Sequence, residues 1–258
     1  MFLEERHNKI LEILNKHQSV KVKTLSEMLS TSEVTIRRDL EELQRQQKVV
    51  RTHGGAMSAY RVGKAVVAKQ LSLLNVDVKK RIAQVAYDQL CDHDTVLLDS
   101  SSTVHEMLPL FISGPKTGLR VITTSLRLVV ALENCANCTL QVVGGDINYL
   151  HGTTEGSMAL RYIRDIRVDK CFFGINGISS DFGFSTPRYE DADIKAAMVH
   201  ASNYSYILSD HSKFGKTYLA KTTSPDCVIT DTRLGDFPYD DFENTDFIFA
   251  DEIAGSES

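Results

Sequence analysis

Two groups of residues in this chain have types and spacings suited to binding anions. The first is Val34-Thr35-Ile36-Arg37-Arg38-Asp39-Leu40, preceded by Ser32. At roughly 100° per residue, Ile36, Leu40 and Leu43 fall within about 60° of one another on a helix and form a buried stripe. Val34, Arg38, Glu41 and Arg45 lie opposite, with Thr35 and Arg37 on the flanks. Short polar and long cationic side chains near the start of an anchored helix suit the base edges and phosphates of a DNA major groove. Arginine donates two hydrogen bonds to guanine or neutralises a phosphate, and threonine reaches a phosphate oxygen or a thymine methyl. Downstream, Arg51 and His53 border a glycine turn, Gly54-Gly55, and would stand beside the duplex on a wing.

The second group sits where apolar runs end. Asp99-Ser100-Ser101-Ser102-Thr103, Thr123-Thr124-Ser125, Gly144-Gly145-Asp146, Gly174-Ile175-Asn176-Gly177 and Ser209-Asp210-His211-Ser212-Lys213 each follow an expected strand. Hydroxyls and free backbone N–H groups at a helix start make an anion site, and glycines let backbone donors approach closely. Lys195 and Lys213 add positive charge, while Asp99, Glu190 and Asp210 are placed to accept hydrogen bonds from sugar hydroxyls. A small phosphorylated sugar or polyol suits that mixture. The same groups support a second reading. Asp99 or Glu190 beside Lys195 offers a base and a cation, the ingredients of aldose–ketose isomerisation. A third reading, a response to protein contacts or redox state, has only Cys135-Ala-Asn-Cys138 behind it. That pair follows a helix instead of opening one, and no second pair completes a zinc tetrahedron. The histidines lack metal-ligand spacing, so neither metal nor cofactor is expected.

The elements that must position these residues follow from periodicity. Leu3, Ile10, Leu11 and Leu14 mark a helix over about 3–16. Val20-Lys-Val22 alternates briefly. Leu25, Met28 and Leu29 mark a second helix, and Ser32 caps a third over about 33–46. Residues 48–56 read as a strand, a glycine turn and a returning strand. Residues 58–76 have no clean period and read as a linker. From Asp77 an amphipathic helix begins. Strands are then expected at 95–99, 119–123, 139–143, 170–175, 204–209, 227–230 and 247–250, with helices at 103–112, 126–134, 157–166 and 190–202. Buried strands spaced by helices imply an α/β protein with a mainly parallel sheet. In such sheets ligands collect beyond the carboxyl ends of the strands. The expected division is therefore 1–57 for the helical head, 58–76 for the linker and 77–252 for the α/β body.

Composition sets the bounds. The chain has 258 residues, 42% apolar and 24% charged, with a net charge of −5. That is the makeup of a folded soluble protein and not of a disordered one. Residues 1–57 carry ten Lys/Arg and eight Asp/Glu; the remainder carries nineteen and twenty-six. A basic head on an acidic body suggests two different partners. The longest apolar run, Leu128 to Leu132, is far short of the roughly 20 residues of a membrane span. The start lacks a signal-peptide layout, and five scattered cysteines imply no disulfide framework. A cytoplasmic location without membrane contact is expected.

Glu5-Arg6, Ser32-Glu33-x-Thr35-Ile36-Arg37-Arg38-Asp39-Leu40 and Arg51-x-His53-Gly54-Gly55-Ala56 resemble the winged helix-turn-helix of DeoR-type bacterial transcriptional regulators. The resemblance continues in Asp99 to Thr103, Thr123 to Ser125, Gly144-Gly145, Phe172-x-Gly174-x-x-Gly177, Lys195-Ala-Ala-Met198, Asp210 to Gly215 and Ile229-Thr230-Asp231, so it spans about 3–250. Two departures are Leu29-Ser30-Thr31-Ser32, where a glycine is usual, and Arg188-Tyr189. The resemblance implies an effector domain similar to ribose-5-phosphate isomerase and coenzyme A transferase folds. It also implies a sugar-phosphate sensor that changes its grip on a double-stranded DNA operator, usually relieving repression. By that analogy the Ser/Thr loop and the Thr123–Ser125 turn hold the phosphate, with Gly144, Gly145, Lys195 and Lys213 around the rest. One recognition helix spans only a few base pairs, so a homodimer or homotetramer is expected to engage paired half-sites.

Overall fold

A computed structural model describes residues 3–16, 20–46, 48–52, 54–58, 75–133, 135–149 and 151–254. The chain divides into two compact units, residues 1–74 and 75–258. His53 and most of the 58–76 linker lie outside the described residues.

The first unit contains helices α1 (Leu3–Lys16), α2 (Val22–Leu29) and α3 (Glu33–Arg45). Three short strands accompany them, β1 (Val20–Lys21), β2 (Val49–Thr52) and β3 (Gly55–Ser58), in the antiparallel order β1-β3-β2. Ile10, Leu14, Val22, Leu25, Ile36, Leu40 and Leu43 close its core, each burial contributing about 1.5–3 kcal/mol before entropy is counted. Val22 departs from the alternating strand expected for Val20–Val22. Its side chain enters this core, and it opens α2 instead of extending β1. Gly55 is required by close packing, because a Cβ there would lie 2.3 Å from the Val20 carbonyl oxygen.

The second unit is built on seven parallel strands: β4 (Thr95–Leu98), β5 (Leu119–Thr123), β6 (Cys138–Val142), β9 (Val168–Gly174), β12 (Ser202–Leu208), β14 (Cys227–Thr230) and β15 (Asp246–Phe249). Their order is β15-β14-β12-β9-β4-β5-β6. The chain winds outward from β4 in one direction, then returns to β9 and winds in the other. The β4/β9 boundary is therefore the topological switch point, where the loops leaving neighbouring strands diverge and open a crevice.

Alternation along the strands sends side chains to two cores. Val96, Leu98, Phe172 and Leu208 pack on the face covered by α4 (Val76–Asp88), α5 (Ser102–His105), α6 (Leu108–Ser113) and α7 (Leu126–Ala131). Leu97, Phe173 and Ile207 pack on the face covered by α8 (Gly156–Arg164) and α9 (Tyr189–Ala201). A last short helix, α10 (Ala250–Ala254), follows β15.

Two differences from expectation bear on the site. The helix expected over 103–112 is two helices, α5 and α6, with Pro109 in the first turn of the second, where its missing N–H is harmless. Two small antiparallel sheets were also not anticipated. One pairs β7 (Asp146–Asn148) with β8 (Thr153–Glu155), and the other orders β10 (Gly177–Ser179), β11 (Gly183–Thr186) and β13 (Ala220–Lys221). Both begin from loops at the carboxyl ends of the large sheet.

Candidate functional site: an exposed helix edge and the rim of the sheet

In the first unit, Ser32 caps α3, its hydroxyl accepting from the Thr35 N–H at 3.3 Å. α2 ends at Ser30 in a left-handed conformation (φ 48°), so a serine makes the turn where glycine is usual. Ile36, Leu40 and Leu43 are buried as the stripe required. Val34, Arg37, Arg38 and Arg45 are exposed, Ser32 is exposed and Thr35 is half-buried. Arg37, Arg45 and Arg51 hold Glu33, Glu42 and Glu41 in surface ion pairs of 2.7–2.9 Å. Arg38 has no acidic partner among the described residues. The orientation of this edge is fixed from below. Asp39, almost fully buried, accepts two hydrogen bonds from the Arg6 guanidinium at 2.5 and 2.9 Å. The Asp39 hydrogen bond holds the Arg6 pKa above its ordinary value against the opposing effect of burial. This clamp between α1 and α3 was not singled out from the sequence, although both residues stand in its motifs.

In the second unit the parallel register aligns Leu98 with Thr123 and Phe172, and Gly174 with Leu208. The five expected loops therefore share one rim, but their side chains have unequal freedom. Asp99 is the organiser of the switch point. Its carboxylate accepts from the N–H groups of Ser101 (2.8 Å) and Gly174 (2.9 Å) and from Lys195 Nζ (3.1 Å). Three of about four acceptor positions are thus taken, and the group is buried. The expectation that Asp99 accepts from a sugar hydroxyl, or serves as a mobile base, is corrected accordingly. Asp99 holds the crevice walls together. Gly174 must be glycine, since a Cβ would meet that of Ser101 at 2.4 Å.

Lys195, also buried, bridges Asp99 and Asp191, the latter at 3.0 Å. Burial alone would lower its pKa, but the two carboxylates outweigh burial and raise it. Burial would likewise raise the Asp191 pKa, and Lys195 with the Thr186 hydroxyl at 2.5 Å holds it below the usual range. The Thr186 hydroxyl also reaches Asn176 Oδ1 at 3.1 Å. Lys195 is therefore an internal counter-ion and not a free cation for a ligand. Asp191 was missed, though its position four residues before Lys195 on a helix is the signal that finds it.

The Thr123–Ser125 turn is likewise engaged within the fold. The Thr123 hydroxyl donates to the Leu98 carbonyl (2.8 Å) and accepts from the Ser125 N–H (3.0 Å). The Thr124 carbonyl accepts from Thr154 N–H at 2.8 Å. Ser125 caps α7 and meets His105 Nε2 at 3.0 Å. All three residues are buried, and the hydroxyls of Thr123 and Ser125 are spent within the fold, as a wall behind the rim. His105 has its pKa lowered chiefly by burial; Asp99 opposes the shift and Arg127 adds to it.

The remaining rim residues are more open. The hydroxyls of Ser100 and Ser102 make no hydrogen bond among the described residues and are half-buried, whereas Ser101 caps α5 and Thr103 is buried. Gly144 is exposed, with open space where a Cβ would point. Gly145 is backed by the Glu155 carbonyl oxygen, and Gly177 by that of Lys216. Glu190 is exposed and lies 3.5 Å from Arg188, which also grips Glu155 at 2.9 Å. Asp210 is buried and caps the turn His211–Lys213, accepting from the Ser212 N–H at 2.9 Å. Lys213 is half-buried beside it. Among the described residues no group of His, Cys, Asp and Glu is arranged to hold a metal ion, and no helix is long and apolar enough to cross a membrane. Cys135 and Cys138 are in contact, Sγ to Sγ 2.8 Å, and burial pushes the Cys138 thiol up to about 12.

Together these features define a two-part regulator, a helix-turn-helix unit followed by an α/β sensor unit. The DeoR-like helix-turn-helix domain matches residues 6–62, and the DeoR C terminal sensor domain matches residues 74–232. The chain belongs to the DeoR family of transcriptional regulators. It is 32% identical over 237 residues to the "Uncharacterized HTH-type transcriptional regulator YulB" of Bacillus subtilis, covering 91% of each chain. It is 31% identical to the "HTH-type transcriptional repressor GlcR" of the same organism, covering 90% of this chain and 89% of the relative. It is 29% identical to the "Glycerol-3-phosphate regulon repressor" of Escherichia coli, covering 88% and 90%. Among solved structures, ribose 5-phosphate isomerase from Plasmodium falciparum aligns with 54% of this chain and 53% of its own, at 18% identity and a TM-score of 0.39.

Proposed function

We propose that this chain is a cytoplasmic repressor of a carbohydrate-use operon, and that a phosphorylated sugar or polyol bound at the rim of the sensor sheet weakens its hold on DNA. The functional division follows the expected one: residues 1–57 meet the operator, 58–76 link, and 77–252 sense. Ser32, Val34, Thr35, Arg37, Arg38 and Arg45 present one edge to the major groove. Arg51, and by the sequence motif His53, flank it from the wing. A homodimer or homotetramer supplies the second half-site.

The observation that carries the reading is the pairing, in one chain, of an exposed Arg38, without an acidic partner among the described residues, on an anchored helix edge with the half-buried Ser100 and Ser102 hydroxyls and Lys213 at the carboxyl ends of the sheet. The names of the relatives, repressors in two instances, support it. Turnover is disfavoured by the engagement of Lys195 with both Asp99 and Asp191. The test is release of bound operator DNA, followed by fluorescence anisotropy at fixed salt, across a panel of sugar phosphates and their unphosphorylated parents. Release by a phosphorylated member alone is expected. Equal release by the parent sugar, or by no compound, overturns the sensing half of the proposal. Conversion of a hit to an isomer would revive the enzymatic reading.

A further inference from the structure

We infer that Cys135 and Cys138 are a redox-sensitive pair: exchange with a small disulfide, such as oxidised glutathione, closes them into an intramolecular disulfide that stiffens the edge of the sensor sheet. Cys138 opens β6, so the pair stands at the amino ends of the strands, opposite the rim and whatever binds there.

Both thiols are free and half-buried, and their sulfurs are in direct contact at 2.8 Å. The turn Ala136-Asn137 joins them, so the two cysteines are the first and last residues of a four-residue turn. The Cα atoms at those positions lie within about 7 Å, the reach of a disulfide. The turn is anchored to the end of α6. The Cys135 thiol donates to the Phe111 carbonyl at 3.3 Å, and Asn137 Nδ2 donates to that of Ile112 at 3.5 Å. Cys138 is in register with Leu119 on one side of β6, and among the described residues no strand borders the other side. The remaining cysteines are placed differently. Cys91 is exposed, and Cys171 and Cys227 are buried in β9 and β14.

The pair follows a helix, so no helix N-terminus activates it, and contact between the sulfurs is what favours closure. Burial, and then the hydrogen bond and charge of Cys135, push the Cys138 thiol up to about 12, so exchange begins at Cys135. Its thiolate attacks one sulfur of the glutathione disulfide, forming a mixed disulfide and releasing one glutathione thiolate. That step removes Cys135 both as a hydrogen-bond partner and as a charge, two of the causes that keep Cys138 protonated. Cys138 then gives up its proton and attacks the Cys135 sulfur. The protein disulfide forms and the second glutathione leaves. Two electrons pass from the pair to the oxidant, and the two thiol protons end on two glutathiones. The second step is intramolecular between groups already in contact, so it outruns attack by thiols from solution. The cross-link then removes conformational freedom from the turn that opens the edge strand.

The experiment holds the intact protein in mixtures of oxidised and reduced glutathione, traps the remaining thiols by alkylation and reads each cysteine by mass spectrometry. The wild type is expected to lose two hydrogens from the fragment that carries Cys135 and Cys138, and excess reduced glutathione should restore both thiols. Exposed Cys91 should take up a glutathione and keep it until reduced. Cys138→Ser should stop at a glutathione adduct on Cys135, which identifies the thiol attacked first, and Cys138→Ala gives the same readout if the serine variant does not fold. Hydrogen exchange of the amides over 135–142 should slow in the oxidised wild type and stay unchanged in Cys135→Ser treated alike. A lasting glutathione adduct on Cys135 of the wild type would overturn the inference, as would two unmodified thiols at saturating oxidised glutathione. Closure that leaves exchange over 135–142 at its reduced rate would overturn the stiffening.

Discussion

Arg37 and Arg38 are adjacent, yet they are not equally available. Arg37 is held by Glu33 across one helical turn in a pair that is solvent-exposed on both sides, an interaction worth a few tenths of a kcal/mol. Arg38 has no such partner among the described residues. If it reads a base edge, Arg38→Ala should weaken operator binding by about 1–3 kcal/mol. Anisotropy titrations at constant salt measure this, and unchanged affinity would remove Arg38 from the readout. Beneath them, Asp39 has a different role. Truncation to Ala removes both hydrogen bonds that the carboxylate accepts from the Arg6 guanidinium, a change that costs about 1–3 kcal/mol. Urea unfolding followed at the first transition should show a lower midpoint for Asp39→Ala. A midpoint equal to wild type would mean that the α1–α3 clamp does not hold the recognition edge.

At the scale of elements, the β4–β9 crevice is braced by the chain of groups Asp99, Lys195, Asp191 and Thr186, which ties α9 to the two central strands. The signs of its pH dependence follow from the direction of each shift. Asp191 is depressed in the folded state, so its contribution is present above its ordinary value of 3.8 and is lost as pH falls through and below it. Lys195 is raised, so its contribution is complete below 10.5 and is lost as pH climbs above. Melting temperature measured against pH should therefore have a plateau between about pH 4 and 10.5 from this network. Asp191→Asn should lower the plateau and flatten the acid limb. Parallel curves for variant and wild type would exclude the network as a source of acid sensitivity. Gly174→Ala probes the same crevice sterically. It forces Cβ atoms together at 2.4 Å, and overpacking of this kind costs about 1–3 kcal/mol, visible as a lower melting temperature.

These elements also show what was readable beforehand. The central sheet strands were legible because strands buried on both faces are near-continuous apolar runs bounded by turns, as in Val96-Leu97-Leu98 and Val228-Ile229. The small sheets escaped because Asp146–Asn148 and Gly177–Ser179 are too short and polar to carry a period. The burial of Lys79, in the first turn of α4, escaped for another reason. In sequence it is one of three consecutive cations, Lys79-Lys80-Arg81, and a charge run at a helix start reads as a solvated face. Only the packing of α4 on β12 and β14 separates the buried lysine from its exposed neighbours. Thr123 and Ser125 show the converse, since hydroxyls at a strand end look the same in sequence whether they face a ligand or cap a helix.

For the whole molecule, the two units have separate hydrophobic cores, one confined to residues 10–56 and the others to residues beyond 77. A ligand in the second unit that alters DNA affinity must therefore do so through a coupling free energy between distinct sites, and such coupling is reciprocal. If a sugar phosphate lowers operator affinity by some factor, the operator must lower sugar-phosphate affinity by the same factor. Typical couplings of 1–3 kcal/mol correspond to roughly 5- to 150-fold. Direct competition of the ligand with DNA phosphates for one basic surface makes a different prediction, because the apparent loss of DNA affinity then grows without limit as ligand is added. Calorimetric titration of the same sugar phosphate into free and operator-bound protein, at one salt concentration, should give two affinities whose ratio equals that of the DNA dissociation constants with and without saturating ligand. A plateau in DNA affinity at high ligand is the accompanying sign of coupling. Continued weakening without a plateau would place the ligand on the DNA-binding surface and relocate the sensor from the sheet rim to the helix edge.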